Sequence, residues 1–166
     1  MRHIIAILLQ NEAGALSRVA GLFSSRGYNI ESLSVAPTDD PLVSRLTLVT
    51  KGSDAVIQQI ASQLLKLIDV VSVEDMTRGE HVERELLLIK LRVEPEQLAA
   101  LESLVTRAAG KVLSVTADFH IVELSNSEAQ ISAFIAEAAG CGEVLELVRS
   151  GALGIARGAR RLQTES

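Results

Sequence analysis

The sequence predicts an α+β fold built from two ferredoxin-like units, each with the element order βαββαβ. Two observations lead to this prediction. Hydrophobic residues change their spacing several times, from strand-like runs to the three- and four-residue spacing of an amphipathic helix. The resulting order of strands and helices then occurs twice within 166 residues, a length that suits one domain or two small ones.

The first unit is assigned to residues 1–77. Residues 3–9, HIIAILL, are apolar on both alternating sets of positions, which is typical of a buried strand. Gly27 is placed to end the first helix, Ser53 to cap the second, and the prolines and aspartates of residues 37–41 to form a turn. The predicted elements are a strand at 3–9, a helix from Ala15 to about Arg26, strands at 29–36 and 42–50, a helix from Ser53 with the apolar stripe Ile57, Ile60, Ala61, Leu64 and Ile68, and a strand at 70–76.

The second unit is assigned to residues 85–150, after a polar linker at 78–84. Its element order repeats that of the first unit, although the residues themselves do not. Residues 151–166 are Gly-rich and locally basic, and are interpreted as a solvated end, with ordering on a partner as the alternative. The predicted elements of this unit are a strand at 86–93, a helix from Pro95, strands at 111–115 and 119–124, a helix around 131–138 and a strand at 143–148.

The first strand is apolar on both of its faces. Ile4, Ala6 and Leu8 lie opposite a second apolar set that follows the same alternation. A ferredoxin-like sheet carries helices on one face only, so the other face would leave an unusually large apolar area bare. We therefore expect the second unit or a partner subunit to cover this face, or the first strand to pair across a subunit boundary.

Composition excludes several classes of protein. The net charge is −5 and aromatic residues make up 2%, which argues against a nucleic-acid-binding protein. No apolar run approaches the roughly 20 residues that span a bilayer, and the N-terminal MRHIIAILLQ lacks a signal-peptide cleavage site. The single cysteine, Cys141, cannot form an internal disulfide. A cytoplasmic protein with no membrane or nucleic-acid partner is expected.

Residue patterns that support catalysis or metal binding are missing from the sequence. There is no thiamine-diphosphate motif (GDG followed by a distant NN) and no phosphate-binding loop. The three histidines, His3, His81 and His120, are far apart and lack ligand spacing. Asp39 and Asp40 are interpreted as turn residues, with a bound cation as the alternative. No catalytic residue, metal site or cofactor is therefore predicted.

The segment NEAGALSRVAGLFSSRGYNIESL, residues 11–33, instead offers groups that suit binding. The amide N–H groups of Gly14, Ala15 and Leu16 would lie at a helix N-terminus, which attracts anions. Gly14 has no Cβ and would allow close approach, while Asn11 and Asn29 each offer an amide donor and acceptor. A small zwitterion with an aliphatic side chain fits this combination. The alternative is a tight turn that binds nothing.

Asn11 followed by Ala13-Gly14 resembles the effector loop of ACT domains, in which an Asp or Asn precedes a Pro-Gly-like pair and a helix. Ala13 stands where that pattern has proline. The longer string NEAGALSRVAGLFSSRGYNIESLSVAPTDD resembles the small regulatory subunit of acetolactate synthase (acetohydroxyacid synthase). The resemblance continues through HVERE at 81–85, VRSG at 148–151 and GALGIARG at 151–158, whereas residues 94–147 match in layout more than in letters.

The resemblance implies an N-terminal ACT domain, an ACT-like second domain and a protein that is not itself an enzyme. Such subunits bind the thiamine-diphosphate-dependent catalytic large subunit, raise its activity and confer feedback inhibition by valine in branched-chain amino acid biosynthesis. Thiamine diphosphate, Mg and FAD are expected in that partner. The alternative is a stand-alone ACT-type amino-acid-sensing module that acts on another enzyme or regulator.

The resemblance also implies a homodimer through the ACT domains, with valine between two copies. The pattern leaves open the selectivity among valine, leucine and isoleucine. By position, one copy would contribute Asn11, Ala13 and the amides of Gly14, Ala15 and Leu16, and the other copy Asn29 and Ile30.

Overall fold

The computed structural model describes residues 1–164, which form two compact units. The first unit consists of Met1–Val82 together with the C-terminal segment from Ala152 onward, and the second consists of Glu83–Gly151. Each unit is an antiparallel sheet covered by two helices. The predicted α+β class with two ferredoxin-like units is confirmed.

The sheet of the first unit has the strand order β2-β3-β1-β4, with antiparallel neighbours throughout. The central strand β1 therefore pairs on both sides, so the option that it pairs across a subunit boundary is wrong. The elements of this unit are β1 (Arg2–Gln10), α1 (Ala15–Ser25), β2 (Ile30–Pro37), β3 (Val43–Lys51), α2 (Asp54–Leu64) and β4 (Val70–Asp75).

One face of β1 forms the main core of the first unit. Ile5, Ile7 and Leu9 are buried together with apolar residues of both helices. Ser53 caps α2 as predicted, since its Oγ accepts a hydrogen bond from the Val56 N–H at 3.4 Å. The helical residues of this core are Ala15, Val19 and Phe23 from α1 and Ile57, Ile60 and Leu64 from α2.

The C-terminal segment covers part of the opposite face of this sheet. Ala152 is buried with Ile4, Ala6, Val49 and Met76, and Leu162 packs against the same cluster. These residues were expected in a solvated end. The prediction was wrong because Gly-rich composition here serves close packing: a Cβ added at Gly154 would lie 2.6 Å from Met76 Cε and 2.9 Å from Ile4 Cδ1.

Polar contacts fix the same segment in place. An Arg45 Nη2–H donates to the Gly154 carbonyl at 2.8 Å, and Arg160 Nε lies 2.9 Å from Glu74 Oε1. The Ala152 N–H donates to Ser32 Oγ at 3.4 Å. The segment also contains the short strand β9 (Leu153–Ala156).

The second unit has the strand order β6-β7-β5-β8. Its strand β5 begins at His81, so the last four residues of the predicted linker are strand. Glu85 is buried and ion-paired with Arg149, with Oε1 2.6 Å from Nε and Oε2 3.0 Å from Nη2, which explains why a polar run continues into a strand. The elements are β5 (His81–Arg92), a 3-10 turn (Pro95–Gln97), α3 (Leu98–Arg107), β6 (Lys111–Thr116), β7 (Phe119–Asn126), α4 (Glu128–Ala138) and β8 (Glu143–Arg149).

Ile68 is not part of the buried stripe of α2, contrary to the prediction. The helix ends at Leu64, and the Lys66 and Leu67 N–H groups donate to carbonyls three residues earlier, which turns the chain. The side chain of Ile68 is consequently 86% exposed.

Candidate effector site

The turn that follows β1 holds Asn11 just beyond the end of this central strand. Its backbone N–H donates to the Leu42 carbonyl at 2.8 Å, and its side-chain Nδ2 donates to the Pro41 carbonyl at 3.0 Å. Within residues 1–164 the amide oxygen of Asn11 has no hydrogen bond. This oxygen is therefore an available acceptor beside the start of α1.

Gly14 is the N-cap residue of α1 and has φ 88° and ψ −10°, a left-handed conformation that favours glycine. In the described part of the chain, the N–H groups of Gly14 and Leu16 have no hydrogen-bond partner. The Ala15 N–H, which was predicted to be free, donates to the Glu12 carbonyl at 3.2 Å. Two of the three predicted donors thus remain available at the helix N-terminus.

Arg18, one turn into α1, forms an ion pair with Asp69, the residue before β4. The side chain of Asp69 is 5% exposed, whereas that of Arg18 is 46% exposed. The hydrogen bond from Arg18 lowers the pKa of Asp69, and the same bond raises the pKa of Arg18. The Asp69 carbonyl also accepts from the Gln10 N–H at 2.8 Å. Asp69 therefore contacts both sides of the turn between β1 and α1, with Gln10 before the turn and Arg18 after it.

The Arg18 guanidinium lies next to Gly14. A Cβ built on Gly14 would be 2.8 Å from Arg18 Nη1, so the cation occupies the direction in which a side chain would project. Sequence reasoning missed this residue. The available signal was its position four residues after the glycine, which places it one helical turn beyond the N-cap.

Asn29 and Ile30 lie beyond the other end of α1. Thr50 Oγ1 donates to the Asn29 carbonyl at 2.7 Å, and Ile30 begins β2. Because α1 has 11 residues, its ends are about 16 Å apart. The structure therefore does not bring the two halves of the predicted site together within one chain.

Two of the other residues considered from the sequence, His3 and Asp40, have polar contacts within the first unit. His3 is buried at the start of β1, with Nδ1 3.3 Å from Asp75 Oδ2 and Nε2 3.5 Å from Asp54 Oδ1. Asp40 Oδ1 accepts from the Leu42 N–H at 2.9 Å, as expected for a turn. Among residues 1–164, no group of three or more His, Cys, Asp or Glu side chains is placed to hold a metal ion. None of the helices in that range is long and apolar enough to cross a membrane.

Comparison with known proteins gives two family matches that together cover most of the chain. The model of an AHAS small subunit-like ACT domain matches residues 5–72, and the model of the small subunit of acetolactate synthase matches residues 84–158.

Individual relatives agree along nearly the full length. The chain is 44% identical to the acetolactate synthase isozyme 3 small subunit of Escherichia coli (strain K12) over 95% of this chain and 97% of that protein. It is 42% identical to the acetolactate synthase small subunit of Haemophilus influenzae over 98% and 99% of the two chains.

A solved structure supports the same assignment. The crystal structure of the acetolactate synthase small subunit from Thermotoga maritima superposes with a TM-score of 0.88 at 33% identity, covering 96% of this chain and 99% of that one. The chain belongs to the family of small regulatory subunits of acetolactate synthase.

Proposed function

We propose that this chain works without a catalytic site or cofactor of its own, and that it binds the catalytic large subunit, raises its activity and makes it sensitive to valine. Thiamine diphosphate, Mg and FAD would belong to that large subunit. The observation that carries the proposal is the open N-terminus of α1 beside Asn11, in a chain of this family. Residues 1–77 would form the effector-binding ACT domain and residues 85–150 the second domain.

The separation of the two half-sites supports a site shared by two copies. Strand β2 is at an edge of its sheet and can pair with β2 of a second copy. In an antiparallel pair, the Ile30 end of one β2 lies beside the Pro37 end of the other. The Pro37 end is also the end at which β1 leaves the sheet, because Pro37 pairs with Ser44 and Gln10 pairs with Val43. Such pairing would bring Asn29 and Ile30 of one copy toward Asn11 and Gly14 of the other.

The chemistry of these groups suits valine. Its carboxylate would accept hydrogen bonds from the N–H groups of Gly14 and Leu16, and its ammonium would donate to the amide oxygens of Asn11 and Asn29. Each charge-assisted hydrogen bond contributes about 1.5–3 kcal/mol, and burial of the isopropyl group beside Ile30 adds about 1.5–3 kcal/mol. Association costs several kcal/mol, which leaves an affinity suited to sensing a metabolite pool.

Reconstitution tests this proposal. The chain is mixed with an acetolactate synthase large subunit, and acetolactate formation from pyruvate is measured with and without valine. We expect higher turnover with the chain, lower turnover once valine is added, and co-elution of the two proteins. Unchanged turnover without co-elution would contradict the proposal.

The same turn also fits a stand-alone amino-acid-sensing module that controls another enzyme or regulator. That alternative requires binding of a branched-chain amino acid without any interaction with the large subunit. A pull-down from the native extract that recovers no thiamine-dependent enzyme would favour it. Calorimetry with valine, leucine and isoleucine, with and without the large subunit, would give the effector selectivity in either case.

A further inference from the structure

Arg18 uses only one edge of its guanidinium within the chain. Its Nε donates to Asp69 Oδ2, whereas Nη1 and Nη2 make no hydrogen bond to another residue in the range 1–164. Arg149 provides a contrast, because it donates from both Nε and Nη2 to the two carboxylate oxygens of Glu85. The edge of Arg18 formed by Nη1 and Nη2, which we call the Nη edge, therefore retains donors that a ligand can use.

The Nη edge lies against the start of α1. A Cβ built on Gly14 would be 2.8 Å from Nη1 and 3.5 Å from Nη2. Side chains of a helix lean toward its N-terminus, so Arg18, one turn further on, reaches back to the first turn. The side chain of Arg18 is 46% exposed, which leaves it accessible to an anion from solvent. Donors of the side chain thus lie beside the N–H groups of Gly14 and Leu16.

Asp69 fixes the guanidinium in this position. Its side chain is 5% exposed, and its carbonyl is bonded to the Gln10 N–H at 2.8 Å, so the carboxylate that holds Arg18 is itself held. The pKa of Arg18 is raised first by the hydrogen bond to Asp69 and least by the charge of Glu12, which forms no ion pair with Arg18 in the described part of the chain. A ligand would therefore meet an arginine that is already oriented, which lowers the entropic cost of binding.

Backbone N–H groups and a guanidinium differ in the ligands that they select. The N–H groups at a turn can donate to a neutral carbonyl oxygen as well as to a carboxylate, because both are acceptors. A hydrogen bond between a guanidinium and a carboxylate is charge-assisted and roughly twice as strong as a neutral one. The planar guanidinium can also donate to two carboxylates from two of its edges, whereas an ammonium is a compact point charge.

We propose that Arg18 selects effectors with a free carboxylate, by donating to it from the Nη edge while Nε keeps its hydrogen bond to Asp69. This inference rests on the proposed function, in which the effector carboxylate binds at the N–H groups of Gly14 and Leu16. All of these groups belong to one chain, so the inference does not depend on how two copies pair. The ligand class is an α-amino acid with an ionised carboxylate, and the amide of the same amino acid is rejected.

Replacing Arg18 with glutamine tests the inference in the full-length chain. Calorimetry at pH 7 gives the dissociation constants of valine and of valinamide, in which an amide replaces the carboxylate. We expect Arg18→Gln to weaken valine binding about ten- to a hundredfold and to change valinamide binding less than about twofold. Arg107→Gln is the matched control, because Arg107 forms an exposed ion pair with Glu137 in the second unit, and it should keep both constants.

Two results would overturn the inference and leave the proposed function intact. One is wild-type valine affinity in Arg18→Gln. The other is an equal loss of affinity for valine and valinamide, which would mean that Arg18 acts only by folding the turn. Arg18→Lys keeps a cation for Asp69 and serves if Arg18→Gln does not fold; wild-type valine affinity in that variant would also overturn the inference. Absence of valine binding and of valine inhibition with the wild-type chain would remove the proposed effector response together with the inference.

Discussion

Gly14 and Arg18 are so close that a side chain at position 14 would meet the guanidinium. The Cβ position is 2.8 Å from Nη1, and the left-handed backbone of Gly14 adds a second reason for glycine. The direction away from Arg18 is the one that remains open for a ligand at the helix N-terminus. Glycine at position 14 therefore leaves room for the Arg18 guanidinium and also leaves the helix N-terminus accessible to a ligand.

Gly14→Asp is expected to abolish valine inhibition and leave activation of the large subunit largely intact. The new carboxylate would lie beside Arg18, compete with Asp69 for it and repel the carboxylate of valine. Turnover at increasing valine concentrations measures the effect. Gly21→Asp is the control, since Gly21 is in α1 with nothing within 4 Å of its Cβ position, and it should keep its valine response. A valine-sensitive Gly14→Asp variant would remove the site assignment.

Asp69→Asn is expected to weaken valine binding and lower the melting temperature. The substitution leaves Arg18 without its buried carboxylate. It also loosens both sides of the turn between β1 and α1. Calorimetry and thermal unfolding give the two readouts. The control is Glu137→Gln, which removes an exposed ion pair with Arg107 at 2.8 Å and should change neither quantity. Wild-type affinity in Asp69→Asn would show that the ion pair does not position the turn.

The stability contributed by Asp69 should depend on pH in a defined direction. Its pKa is lower in the folded chain than the ordinary value of 3.8, so the unfolded chain takes up the proton first as the pH falls. The stabilisation is present above that ordinary value and is lost as the pH falls through the lower, folded value. Unfolding of wild type and Asp69→Asn between pH 7 and pH 3 should show a stability difference that shrinks only at the acidic end. A difference that grows on acidification would contradict this assignment.

Gly154→Ala is expected to destabilise the first unit by about 1–3 kcal/mol, the usual effect of forcing an extra methyl group into a packed site. The added Cβ would press on Met76 and Ile4, and part of this strain can be relieved because the Met76 side chain is flexible. Denaturant unfolding measures the change. Gly21→Ala offers the comparison, since a helical glycine in open space should be neutral or stabilised by alanine. Equal stability of Gly154→Ala and wild type would mean that the segment does not pack tightly.

Local sequence patterns were sufficient to predict most helices and strands, but not the contacts between residues that are far apart in the sequence. The turn at Asn11–Gly14 and the cap at Ser53 follow from residues within one helical turn. Arg18 and Asp69 are separated by 51 positions, and their pairing depends on β4 lying next to β1. Ile68 continued the helical spacing of α2, but spacing alone does not show that the helix stops at Leu64. The C-terminal segment has the composition of a solvated end, and only the shape of the sheet shows why Gly154 must lack a side chain.

The length of α1 has a consequence for how sensing would depend on concentration. If the two ends of this helix belong to two different effector sites, a lone chain carries only half of each site. Valine and the second copy would then be linked ligands of one equilibrium, so each would tighten the binding of the other. Dilution of the subunit would therefore weaken its response to valine, even at a valine concentration that saturates the dimer.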